Sequence, residues 1–215
     1  MATTMTETRA VAEPEMEIEP EFPPHLMTVD RYEKMVEAGV YGPRDPVFLW
    51  DGRLVEKMPK GDLHSFASLS LLYLLIRMIP AHWHVAHEIP LKIGLVCMPE
   101  PDLMVVRGQL RDFLGRARTS GDVGFVVEIA DASVTQDSVT KLRAYAADRV
   151  PIYWVANLPN RRIIVHSDPS GPAEIPGYRA VREYGPGDEI PVVLDGIEVG
   201  RVAVSEILPA GDDGR

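Results

Sequence analysis

The stretch Val123-Gly124-Phe125-Val126-Val127-Glu128-Ile129-Ala130 carries a single charged residue in an otherwise apolar run. A short run of this kind, rich in β-branched residues, is typical of a strand buried on both faces of a sheet. Glu128 places a carboxylate near the end of the predicted strand. Because a lone buried carboxylate is costly, we expect a positively charged partner close to it.

Helices and strands are predicted on both sides of this stretch. Before it, a helix begins at Asp62 or Ser65 and ends at Pro80, since proline cannot continue a helix. After it, residues 133–148 have the pattern of an amphipathic helix. Further strands are predicted at residues 83–93, 102–106, 152–155 and 161–166. The order of helix, three strands, helix and strand predicts an α/β protein with a mixed sheet flanked by helices.

Additional elements are predicted at both ends of this core. Asp51-Gly52 favours the two-residue type I′ turn of a β-hairpin over residues 47–56. A short helix is predicted at residues 28–40. Short strands are predicted at residues 178–199, and a last strand or short helix at residues 202–208.

The composition predicts one globular domain with two disordered tails. Of 215 residues, 46% are hydrophobic and 25% are charged, which are ordinary values for a globular chain. Residues 1–24 are acidic and rich in proline, so we expect them to be disordered, as are residues 209–215, around a single domain at residues 25–208. No apolar run reaches the ~20 residues of a membrane span. The lone Cys97 suits a reducing cytoplasm and excludes a cysteine-based zinc site.

The net charge of -10 argues against non-specific binding of polyanions. Part of that charge is local, because residues 1–24 hold six acids and one base, a net of -5. The rest of the chain is therefore about as acidic as this segment. No broad basic stripe is evident along the sequence, so the charge gives no support to a DNA partner.

Asp102 and Glu128 are the strongest candidates for a functional site. Asp102 begins one predicted strand and Glu128 lies near the end of another, so neighbouring strands would bring both carboxylates to one edge of the sheet. Two carboxylates about 4 Å apart repel by roughly 4 kcal/mol at an effective dielectric constant near 20. A bound Mg²⁺ or Mn²⁺ reverses this repulsion, acidifies a water and stabilises a pentacovalent phosphate. The pair therefore predicts a metal site at the edge of the sheet, and phosphodiester hydrolysis is the simplest metal chemistry for it.

Lys141 follows Glu128 on the next predicted helix, and Asp137 precedes it at i, i+4 spacing on the same helix face. One interpretation is a surface ion pair worth a few tenths of a kcal/mol. The other is that Lys141 reaches the scissile phosphate or orients the attacking water. Glu56, at the end of the hairpin, and His64, at the start of a helix, are each interpreted either as ordinary polar positions or as members of the site.

Taken together, these residues resemble the bacterial Uma-type family of restriction-endonuclease-like proteins, which is assigned to the PD-(D/E)XK nuclease superfamily. The resemblance covers residues 28–208. It rests on the order and spacing of short motifs in the sequence. These are Asp51-Gly52-Arg53-Leu54-Val55-Glu56, His64, Pro99-Glu100-Pro101-Asp102, Glu128-Ile129-Ala130-Asp131-Ala132-Ser133, Asp137, Lys141, Tyr145-Ala146 and Pro151-Ile152-Tyr153-Trp154.

The resemblance implies a restriction-endonuclease-like core and a Mg²⁺- or Mn²⁺-dependent endonuclease acting on DNA. It also suggests a homodimer, because restriction-type nucleases often cut as dimers. It makes Asp102 and Glu128 the metal ligands, with Glu56 as an accessory acid. Ala130 occupies the position of the superfamily's usual lysine. Lys141 resembles the migrated lysine of some superfamily members, with Asp137 positioning it.

Two other functions remain open at this point. A nuclease fold retained as a non-catalytic binding or regulatory module would account for Ala130 and for the net charge of -10. A hydrolase of small phosphoesters would need no long groove for DNA.

Overall fold

The structure of the protein is a computed structural model, and it describes residues 22–42, 45–131 and 136–208. The two predicted tails fall mainly on residues 1–21 and 209–215, which lie outside the described residues. No helix in the described ranges has the length and apolar character needed to span a lipid bilayer.

The described residues form four α-helices and twelve strands, with two short 3₁₀ turns at Leu110–Phe113 and Ser120–Asp122. The helices are α1 (Val29–Glu37), α2 (Asp62–Met78), α3 (Gln136–Ala147) and α4 (Val204–Ile207). The strands up to α3 are β1 (Val47–Trp50), β2 (Arg53–Glu56), β3 (Trp83–His87), β4 (Leu91–Lys92), β5 (Leu103–Arg107), β6 (Arg118–Thr119) and β7 (Val123–Ala130). The later strands are β8 (Ile152–Asn157), β9 (Arg162–Pro169), β10 (Tyr178–Tyr184), β11 (Glu189–Leu194) and β12 (Ile197–Ala203).

A six-stranded mixed sheet forms the centre of the fold, in the order β10-β9-β8-β7-β5-β3. Only β7 and β8 pair in parallel, because α3 carries the chain from the end of one strand to the start of the next. The other pairs in this sheet are antiparallel. The predicted α/β class and the order of helix, three strands, helix and strand are therefore confirmed by α2, β3, β5, β7, α3 and β8.

Both faces of this sheet are covered by apolar side chains. On one face, α2 packs against the sheet through Ala67, Leu71 and Leu75, beside residues from β11, β12 and α4. On the other face, Tyr145 of α3 packs with Tyr153 of β8. Strand β7 is buried along almost its whole length, as its apolar sequence predicts.

The predicted hairpin at residues 47–56 is confirmed, whereas the single strand predicted at residues 83–93 is not. Asp51 and Gly52 both have positive φ, as a type I′ turn requires, and they join β1 to β2 as predicted. The strand predicted at residues 83–93 is instead two strands, β3 and β4. Glu88 interrupts it with a φ of 53°, and Pro90 cannot donate a backbone hydrogen bond.

Candidate active site

Strand β5 begins and strand β7 ends at one edge of the central sheet. Strands β5 and β7 run antiparallel with Leu103 opposite Val127, so the start of β5 lies beside the end of β7. The backbone N–H of Ile129 donates a 2.7 Å hydrogen bond to Oδ2 of Asp102. This bond ties the Asp102 carboxylate to the strand that carries Glu128.

Asp102 is buried, with 4% of its surface exposed, and both carboxylate oxygens have partners. Nζ of Lys60 lies 2.8 Å from Oδ1, and Nε2 of His64 lies 3.1 Å from Oδ2. Burial alone would raise the pKa of Asp102, but the His64 hydrogen bond and the Lys60 charge outweigh it and lower the pKa to about 2. Asp102 is therefore an ionised carboxylate at neutral pH.

Glu128 is equally buried but has different partners, which both come from α3. Nζ of Lys141 lies 2.9 Å from Oε2, and the hydroxyl of Tyr145 donates a 2.8 Å hydrogen bond to Oε1. Burial and the negative charge of Asp102 raise the pKa of Glu128, against the opposing effect of Lys141. The side chain of Lys141 thus reaches Glu128 from a helix, 13 residues further along the chain.

A cavity of about 630 Å³ opens over this edge of the sheet, and most of the candidate residues line it. Asp102, Glu128, Lys141, Glu56 and His64 all line it. Asp102, Glu128 and Lys141 thus lie together at one cavity, as expected from the sequence. Glu56 ends β2 and is exposed to solvent at this cavity.

The other two residues singled out from the sequence are Ala130 and Asp137. Ala130 ends β7 and lines the same cavity, where its methyl group supplies no charge. Asp137 lies in α3, but its side chain is outside the part of the chain that the structure describes.

Lys60 and Tyr145 are site residues that the sequence did not single out. Lys60 lies in the loop before α2 and also contacts Oε1 of Glu88 at 2.9 Å, so its ammonium bridges two carboxylates. Tyr145 was noted only as part of a motif. Its role becomes visible when helical geometry places it one turn beyond Lys141, on the same face.

The cavity lining carries more negative than positive charge. Among the residues that the structure describes, it includes six carboxylates but three ammonium groups, which favours a bound cation. The carboxylates belong to Glu56, Glu88, Glu100, Asp102, Glu128 and Asp131, and the ammonium groups to Lys57, Lys60 and Lys141. Within residues 22–42, 45–131 and 136–208, no three His, Cys, Asp or Glu side chains are grouped closely enough to hold a metal ion. Of the six carboxylates, those of Asp102 and Glu128 are buried.

Comparisons with known proteins point to one family. A family model described as "Uma2: Putative restriction endonuclease" matches residues 30–204. No curated protein matches the chain. A crystal structure described as a "putative nuclease belonging to DUF820" from Anabaena variabilis ATCC 29413 is similar, with a TM-score of 0.62. The alignment covers 84% of this chain and 97% of that chain, at 14% sequence identity, and it therefore establishes the shared fold.

Proposed function

Because the chain belongs to the Uma2 family of restriction-endonuclease-like proteins, we propose that it is a metal-dependent endonuclease that hydrolyses phosphodiester bonds in DNA. One observation carries the proposal. Asp102, Glu128 and Lys141 come from three separate elements and line one cavity, with the Lys141 ammonium 2.9 Å from Glu128. Buried carboxylates beside an ammonium group are the parts that metal-assisted hydrolysis of a phosphodiester needs.

The proposed ligands are Asp102 and Glu128, with Glu56 assisting from β2. Their carboxylate oxygens suit a hard cation such as Mg²⁺ or Mn²⁺, which keeps several waters when few protein ligands are present. The excess of carboxylates over ammonium groups in the cavity supports this assignment. When bound, the cation supplies an acidified water and offsets the negative charge of the phosphate.

Lys141 is proposed to replace the usual lysine of the superfamily, whose position in this chain is occupied by Ala130. Its ammonium is held beside Glu128, so it can orient the attacking water or stabilise charge on the phosphate. Tyr145 fixes the other oxygen of Glu128 from the same helix. Asp137 is proposed to position Lys141, since the two are i, i+4 neighbours on α3.

Lys60 and His64 are proposed to hold Asp102 in place. Both donate to its carboxylate, one to each oxygen, and the N–H of Ile129 adds a third contact. Lys60 is also partly exposed at the cavity, with 36% of its side chain accessible, so its ammonium can contact a phosphate of the substrate.

The direct test is cleavage of plasmid DNA by the purified full chain in Mg²⁺ or Mn²⁺. We expect cleavage that EDTA stops and that Asp102→Ala abolishes. Asp195→Ala, purified in the same way, is the control, because Asp195 is an exposed acid paired with Arg107 outside the cavity. Unchanged cleavage in Asp102→Ala would overturn the proposal.

Metal binding can be measured separately by titrating Mn²⁺ into the protein in a calorimeter. We expect binding to the wild type and its loss in Asp102→Ala and in Glu128→Ala. A folded wild type that binds no Mn²⁺ would favour a non-catalytic binding module. Hydrolysis of a small phosphodiester without cleavage of DNA would instead favour a small phosphoester hydrolase.

A further inference from the structure

The outward face of α2 carries a continuous row of large apolar side chains. This apolar stripe consists of Leu63, Phe66, Leu69, Tyr73 and Ile76, which are 45–63% exposed. Their spacing of three and four residues places them along one side of the helix. The opposite side of α2 is the one that packs on the central sheet.

The stripe is larger than the scattered apolar residues expected on a protein surface. A large side chain offers roughly 150–250 Å², so five half-exposed ones present on the order of 500 Å². A contiguous apolar patch of about this size is the largest that a typical monomer exposes, and such patches are often functional. Among the residues that the structure describes, these five side chains keep about half of their surface accessible.

Four of the five stripe residues are placed symmetrically about the middle of the helix, with Leu69 next to the midpoint. Leu63 and Ile76 lie equally far from the midpoint between Leu69 and Ser70, and so do Phe66 and Tyr73. The charges obey the same symmetry, since exposed Asp62 and Arg77 lie just beyond the two ends of the row. A row with this symmetry and with opposite charges at its ends is complementary to an antiparallel copy of itself.

We propose that α2 pairs antiparallel with α2 of a second copy of this chain, about a two-fold axis near Leu69. The pairing brings Leu63 against the partner's Ile76 and Phe66 against the partner's Tyr73. It also brings Asp62 beside the partner's Arg77, at both ends of the contact. A parallel pairing would instead oppose like charges at each end.

The area of the stripe sets the strength of the dimer, and its position on α2 sets where the two cavities lie. Two stripes together bury about 1,000 Å², the lower limit for a specific interface, so dimerisation depends on protein concentration. His64, at the N-terminal end of α2, lines the cavity described above. A 17-residue helix is ~25 Å long, so the antiparallel pair places the two cavities at opposite ends of the contact. This association does not depend on nuclease activity.

Sedimentation equilibrium of the full chain, at concentrations up to about 100 μM, tests the contact. We expect a dimer for the wild type and a monomer for Phe66→Glu, whose carboxylate would be buried against the partner's Tyr73. The matched control is Leu95→Glu, since Leu95 is 80% exposed in the turn between β4 and β5. Circular dichroism checks that each variant is folded. A monomeric wild type would overturn the proposal and would indicate that the stripe contacts a different partner or another segment of this chain. A dimeric Phe66→Glu would also overturn it.

Cysteine cross-linking tests the direction of pairing. Leu63→Cys combined with Ile76→Cys should give a covalent dimer on oxidation, because the proposed contact brings the two positions together across the interface. Leu63→Cys alone is the control and should stay unlinked, since ~20 Å then separates the two copies of that position. The native Cys97 is buried and gives little background. Cross-linking of Leu63→Cys alone would overturn the antiparallel arrangement.

Discussion

Asp102 and Glu128 are buried to a similar extent at one edge of the same sheet, yet their pKa values shift in opposite directions. Asp102 accepts hydrogen bonds from Lys60, His64 and a backbone N–H, and its pKa falls to about 2. Glu128 has one ammonium and one neutral hydroxyl, and burial together with the charge of Asp102 raises its pKa. The protein thus stabilises the ionised form of Asp102 through several donors, whereas at Glu128 the effect of burial outweighs that of the Lys141 ammonium 2.9 Å away. A further positive charge beside Glu128 would offset this effect of burial.

The largest expected effect is on the Glu128 side, where Lys141→Ala should lower the rate of DNA cleavage by about 10²–10³-fold. A group that stabilises charge in the transition state contributes on this scale. Single-turnover cleavage measures the effect. Lys57→Ala is the matched control, because Lys57 lines the same cavity but pairs with Glu100, and it should change the rate only a few-fold. Equal losses in the two variants would mean that Lys141 contributes only to the general charge of the cavity.

The partners of Glu128 and the partners of Asp102 also differ in how well they could be predicted from the sequence. Lys141 lies 13 residues after Glu128, and a single helix joins them, so local spacing is enough to link the two. Strand β7 was likewise predicted with its observed bounds, because a run of apolar residues is a local signal. Local spacing was not sufficient everywhere, since Tyr145 lies one turn beyond Lys141 and still could not be assigned to Glu128 from the sequence.

Lys60 could not be linked to Asp102 from the sequence, since 42 residues separate them. It lies in a loop without periodicity, and the contact exists only because α2 packs on the sheet and carries that loop to the start of β5. His64 is also distant from Asp102 in the sequence, which allows two interpretations of it, an ordinary polar position or a member of the site. Local patterns contain no information on such packing, which is why Asp102 was predicted as a site residue without its neutralising partners.

An intermediate effect is expected on the Asp102 side, where Lys60→Ala should destabilise the metal-free protein by about 2 kcal/mol. The variant leaves a buried carboxylate with one fewer charged partner, which is costly even though His64 remains. Urea unfolding in EDTA measures the loss. If Asp102 binds metal, saturating Mn²⁺ should restore part of the stability, because the cation replaces the missing charge. The same loss in EDTA and in Mn²⁺ would contradict a metal at Asp102.

The smallest expected effect comes from Tyr145→Phe, which removes only the hydroxyl that donates to Glu128. The ring remains packed in the core, so the free energy of unfolding should fall by about 1 kcal/mol, the usual contribution of one buried hydrogen bond. Urea unfolding measures this change. Tyr178→Phe is the control, because its hydroxyl also donates a hydrogen bond, to the carbonyl of Val150 away from the carboxylates. Both variants should lose similar stability, but only Tyr145→Phe should slow DNA cleavage, because only its hydroxyl orients Glu128. If both variants cleave at the wild-type rate, Tyr145 serves the core alone and Lys141 is sufficient to hold Glu128.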